Sequence, residues 1–121
     1  MDSNEALAAL RGGHLDTVSF VQDYVEFRIN YNVLRALAPP VVEGSDGRRL
    51  RFPEPGSRDA LCELIDTWVV SADEVGSDES GDRRIEVRTD AEHVLTIPLS
   101  GDAGGPEFAH LVPVDGGMFI W

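Results

Sequence analysis

The sequence predicts an α+β fold in one domain, residues 1–121: two α-β-β-β repeats forming antiparallel sheet covered by two short helices, plus a C-terminal β-hairpin. Three observations predict it. Two short stretches carry apolar residues at helical spacing, each precedes segments of strand character, and the two blocks share collinear strings.

The first helix is predicted over residues 4–11, where Ala6, Leu7 and Leu10 form a stripe, Glu5 stands in the first turn and Gly12-Gly13 supply the stop. A strand follows over residues 16–22, built on Thr17, Val18, Phe20 and Val21. Residues 24–30 then alternate, with Val25, Phe27 and Ile29 on one face and Glu26, Arg28 and Asn30 on the other. A period of two buries one face and leaves the other wet. Gln22-Asp23 is the turn between these strands. A third strand is expected over residues 33–38, ended by Pro39-Pro40, which lack ladder donors.

The second block repeats the order. Its helix is predicted over residues 57–65, with Ser57 as N-cap, Asp59 in the first turn and Leu61, Leu64 and Ile65 as the stripe. Pro53 and Pro55 fence it upstream. Strands are expected over residues 67–72, 84–89 and 93–99. Helices of about two or three turns are unstable alone, so both must pack on the sheet.

Three matches carry the repeat. Glu5-Ala6-Leu7 with Leu10 matches Asp59-Ala60-Leu61 with Leu64, Leu15-Asp16-Thr17-Val18 matches Ile65-Asp66-Thr67-Trp68, and residues 25–30 match residues 85–90, at offsets of 54, 50 and 60 residues. They predict repeats at 4–56 and 57–100 related by a pseudo-twofold, with Glu26/Arg28 and Glu86/Arg88 on the polar face. Beyond Gly104-Gly105-Pro106, residues 107–121 stand outside the repeat. Asp115-Gly116-Gly117 between apolar runs reads as a hairpin turn. The closing Phe119, Ile120 and Trp121 need a surface to bury against, so they are candidate sheet-edge or homodimer residues.

Charge narrows the function classes. The 121 residues carry 22 acidic and 10 basic side chains, a net charge of −12, which argues against direct binding to nucleic acid or an anionic membrane. Residues 57–121 account for −10 of it. An apolar fraction of 42% is too high for a disordered acidic tail, and the lone Cys62 makes no intramolecular disulfide. No apolar run is long enough to span a bilayer, and Met1 to Glu5 lack the order of a secretory signal, so a cytoplasmic location is expected. All ten basic residues are Arg, as GC-rich codon usage produces. Only Arg48, Arg49 and Arg51 cluster, and pairing with surrounding surface acids is expected for them.

Familiar catalytic signatures are absent from the sequence: no nucleophile elbow, Walker loop, dinucleotide fingerprint, His-Glu-x-x-His or paired cysteines. Cys62, between Leu61 and Glu63, reads as a core cysteine. His14 and Asp16 share a strand face as a metal pair would, without an identifiable third ligand. Glu107 and His110, three apart on a strand, point to opposite faces. No catalytic residue, metal or cofactor is assigned. The acidic connection over residues 73–82 lacks the Gly and Glu positions of an EF-hand loop and reads as a solvated, mobile segment. Its Asp73, Glu74, Asp78, Glu79 and Asp82 are the candidate partner-binding residues.

The stretch Val18 to Phe27, with the later Pro39 and the closing aromatic strand, resembles small uncharacterised bacterial proteins of the high-GC Gram-positive type. That resemblance implies a bacterial cytoplasmic origin and brings no activity with it. The expected role is therefore an acidic binding module without catalytic machinery, of immunity or inhibitor type, with a basic protein as partner. The alternative is a small-molecule or metal-dependent enzyme whose site lies between the repeats, built from Asp16, Asp66, His93 or His110. In that reading Asp16 and Asp66 meet across the axis and raise one another's pKa.

Overall fold

A computed structural model describes residues 2–101 and 106–121; Gly104 and Gly105 of the expected boundary lie outside the described residues. Two short helices and ten strands follow in the order α1 (Ser3–Ala8), β1 (His14–Val21), β2 (Tyr24–Ile29), β3 (Asn32–Ala36), β4 (Val41–Glu43), β5 (Arg49–Arg51), α2 (Ser57–Cys62), β6 (Thr67–Val75), β7 (Arg84–Thr89), β8 (Val94–Pro98), β9 (Ala109–Val112) and β10 (Phe119–Ile120). The fold is α+β and mainly sheet.

Alternation explains the two meanders. Val25, Phe27 and Ile29 of β2 are fully buried, as are Ile85 and Val87 of β7, while the intervening Arg28 and Arg88 are exposed. All ten strands form one antiparallel sheet in the order β10-β9-β3-β2-β1-β6-β7-β8-β4-β5. Its apolar side shares a single core with Leu7 and Leu10 from α1 and its following turn, and with Leu61 and Leu64 from α2 and its turn. Burying a leucine stabilises by about 2 kcal/mol, enough to hold helices this short.

The helices end before their stripes do. Leu10 donates to the Leu7 carbonyl at 3.0 Å and Leu64 to that of Leu61 at 3.1 Å, so each stripe finishes in a tightened turn. Asp2 caps α1, its Oδ1 accepting from the Glu5 N–H at 2.8 Å. The expected Ser57 cap is not made. Gly56, at φ +86°, occupies the cap position, and Ser57 becomes the first helical residue, buried with its hydroxyl unpaired among the described residues. Cys62 is exposed, not in the core, because the buried stripe of α2 is Leu61 and Leu64.

Two strands escaped the periodic reading. β4 and β5 are three residues each, too short for alternation to register. They follow β3 in the chain, yet β4 pairs with β8 and carries β5 at the far end of the sheet, while β9 and β10 follow β8, β9 pairing with β3 and β10 with β9. The β4–β5 hairpin thus extends the later meander, and the β9–β10 hairpin the earlier one.

The centre is a short ladder, His14 opposite Trp68 and Leu15 opposite Thr67. Register shifts fall between Leu15 and Thr17 on β1 and between Val69 and Ser71 on β6, leaving Asp16 and Val70 as the extra residues. The two shifts stand 54 residues apart. The Gly12 N–H donates to the Val69 carbonyl at 2.8 Å and the Asp66 N–H to that of Leu15 at 2.7 Å, both residues at positive φ.

Candidate functional site

One face of the sheet carries the core; the other is open. At the centre of the open face β6 projects Trp68 and Val70, which are 51% and 62% exposed. Two such side chains close together on one strand face make a candidate contact surface. The Trp68 ring lies 4.7 Å from that of His14, at a tilt of 35°. His14 Nε2 is 2.7 Å from Asp66 Oδ1, and the Trp68 N–H donates to Asp90 Oδ1 at 3.0 Å. One carboxylate is thus bonded to the histidine that packs on the indole, and another to the Trp68 backbone.

Beyond them Asp16, the extra residue of β1, accepts from Arg28 at 2.8 and 3.2 Å and from Thr17 at 2.8 Å. The Arg28 bonds, then that of Thr17, hold the Asp16 carboxyl below its ordinary range. The Arg28 guanidinium also sits 5.8 Å from the exposed Tyr31 ring.

Other expected site residues are placed differently. Asp16 and Asp66 are not bonded to one another, Asp16 taking Arg28 and Asp66 taking His14. His93 lies against Thr89, with Glu63 at 3.9 Å. His110 stands between Arg35, at 3.1 Å, and Glu107, at 3.2 Å. The Glu107–His110 contact corrects the opposite-face expectation: Glu107 precedes β9, so strand alternation does not govern it. The acids and histidines of the enzyme reading are not gathered, and no group of three or more metal-binding side chains occurs among the described residues.

The acidic connection divides. Asp73 and Glu74 belong to β6, not to a loop, and are bonded within the chain, Asp73 to Arg11 at 2.7 Å and Glu74 to Arg83 at 2.9 Å. Glu74 also accepts from the Trp121 Nε1–H at 3.2 Å. Arg83 foremost, with desolvation opposing and Ser3 and Trp121 assisting, lowers its pKa. Asp82 accepts from the hydroxyl of Ser80 and from the Ser77 N–H, fixing the turn. Asp78 reaches Arg83 at 3.7 Å, and Glu79 is exposed. Of the five candidates, Asp78, Glu79 and Asp82 are exposed, Asp82 while bonded within its turn.

Trp121 closes its own chain, its Nε1–H donating to Ser3 Oγ at 2.7 Å. Phe119 is half-buried on β10 and Ile120 is exposed at that sheet edge. Arg48, Arg49 and Arg51 correct their expectation, since none forms an ion pair among the described residues. Sequence reasoning missed Trp68 and Val70. The run Thr67 to Val70 is apolar or nonpolar enough on both faces to hide which is open.

Neither models of known protein families, nor curated proteins, nor solved structures match this chain.

Proposed function

We propose that the protein is a non-catalytic, cytoplasmic binding module of inhibitor type whose partner is a basic protein, and that it docks through the centre of the open sheet face. The carrying observation is Trp68, half exposed on the same strand as the exposed Val70, with Asp66 bonded to the His14 it packs on and Asp90 accepting from its backbone N–H. Tryptophan contributes disproportionately to interfaces, and surrounding carboxylates steer a cationic partner and exclude anionic ones. A net charge of −12 extends that steering beyond the patch. It also opposes self-association, so a second copy is the weaker occupant. The fold itself supports a duplication with exchanged hairpins: the 54-residue offset runs from the helices through β1 and β6, and equivalent shifts interrupt both ladders.

The test places a photo-crosslinking residue at Val70 in the full chain and captures partners at low and raised salt. The expected capture is a basic protein that then binds in purified form, weakens at raised salt, and is lost in Trp68→Ala while persisting in Asp78→Asn/Glu79→Gln. Loss only in the loop variant, or an acidic or salt-indifferent partner, overturns the reading. Crosslinks between copies of this chain assign the face to a dimer instead.

A further inference from the structure

On the open face of the β7-β8-β4-β5 end lies a trough unrelated to the Trp68 patch. Val41 and Thr96, opposite one another in the β4–β8 ladder, lie between its walls. One wall is β5, whose Arg49 and Arg51 share a face by alternation; the other is β7, with Arg84 and Arg88. The main lobe, an open groove of about 330 Å³, is lined by Glu43, Asp82 and Glu86 as well as Arg49, Arg84 and Arg88, and Arg49 and Arg84 also line the second, of about 270 Å³.

The charges are unevenly satisfied. Arg84 and Arg88 hold Glu86 at 2.9 and 3.0 Å, and Arg84 also reaches Asp82 at 3.4 Å. Glu43 faces Arg49 in the ladder without an ion pair between them. Arg49 and Arg51 are thus left without a carboxylate among the described residues, in a chain with more than twice as many acids as bases. The second lobe sets Arg49, Arg51, Arg83 and Arg84 against Asp82. Arginine on an edge strand guards against strand addition. Guarding requires neither a concavity nor a second arginine wall.

We infer that this trough is a binding site for an oxoanion, specifically the phosphate group of a small monoester. Guanidinium forks from Arg49 and Arg51 match its oxygens in two-point contact, the Thr96 hydroxyl adds a donor, and Val41 packs against the carbon skeleton.

Calorimetric titration of the full chain with phosphoserine and, separately, inorganic phosphate, at ionic strength held constant with sodium chloride, tests it. Saturable one-to-one binding of phosphoserine is expected, weakened about tenfold in Arg49→Gln and in Arg51→Gln. Arg48→Gln, which removes an arginine outside the trough that forms no ion pair among the described residues, is expected to bind as the parent does. Equal binding of inorganic phosphate assigns the site to the free anion and overturns the monoester. Absence of saturation at millimolar ligand, or equal losses in Arg48→Gln and Arg49→Gln, overturns the site. Circular dichroism of each variant shows that a loss is not unfolding.

Discussion

Replacing Ser57 with alanine is expected to make the protein more stable. Its Oγ is fully buried and has no hydrogen-bond partner among the described residues. A desolvated, unpaired hydroxyl costs about 1–3 kcal/mol, whereas losing one oxygen's packing costs less. Ser3 supplies the internal control. Each serine is the first residue of a six-residue helix, so the small helix-propensity gain of alanine is common to both. Ser3 Oγ, however, accepts the Trp121 Nε1–H at 2.7 Å. Ser57→Ala is therefore expected to gain about 1 kcal/mol and Ser3→Ala to lose about 1 kcal/mol, a separation of about 2 kcal/mol. Urea unfolding followed by tryptophan fluorescence reads it as opposite midpoint shifts at constant slope. If both variants shift together, or Ser57→Ala loses stability, the buried hydroxyl is satisfied and the reasoning fails.

Because Arg83 lowers the Glu74 pKa below its ordinary 4.5, the unfolded chain binds more protons in acid, so this stabilisation is full above about pH 4.5 and lost as pH falls through the folded value. Urea midpoints across pH are expected to show Glu74→Gln less stable than the parent at neutral pH and converging with it in acid; parallel curves count against the linkage. Gly76→Ala is expected to cost about 2 kcal/mol in thermal unfolding, because φ is +81° and the new Cβ meets the Asp82 backbone, whereas Gly12→Ala, at φ +75° in open space, costs about 1 kcal/mol. Since Trp121 bonds to Ser3, a circular permutant joining the ends by a short linker and opened within residues 53–56 is expected to keep the parent circular dichroism spectrum and cooperative melt. A non-cooperative melt would show that the Phe52-to-Ser57 connection is required for the fold.

Legibility in the sequence followed strength of alternation. Residues 84–89 display charged and apolar side chains in strict turn, and β7 occupies those residues. β6 does not end where its apolar run ends: Asp73, Glu74 and Val75 continue the strand because β7 pairs with them and Arg11 and Arg83 neutralise the acids. No local rule reads that, since Arg11 lies 62 residues from Asp73. The same limit hid the trough. Arg48-Arg49-x-Arg51 is visible as a cluster, but only the pairing of β4 with β8 sets Arg49 across from Arg84. The extra residues Asp16 and Val70 also escaped, because a register shift leaves no mark on composition and moves every later side chain of its strand by one position.

The exchanged hairpins account for how so short a central ladder joins one molecule. Two residue pairs between β1 and β6 supply little cohesion by themselves. Stripping β4 and β5 from β8 would uncover Val42, and stripping β9 from β3 would uncover Ala109 and Leu111, all in the shared core. Because each hairpin is covalently part of the opposite block, neither block can unfold without exposing the other's core. Cooperativity is thereby imposed by connectivity rather than by a large interface. The exchange also separates the two proposed surfaces by origin: the trough needs β5 from one block and β7 from the other, whereas Trp68 and Val70 stand on β6 beside the central ladder. A substitution in the β4–β5 hairpin that loosens its pairing with β8 should therefore abolish oxoanion binding while leaving the Trp68 patch in place, because Trp68 is held through Asp90 and His14, neither of which touches that hairpin's ladder.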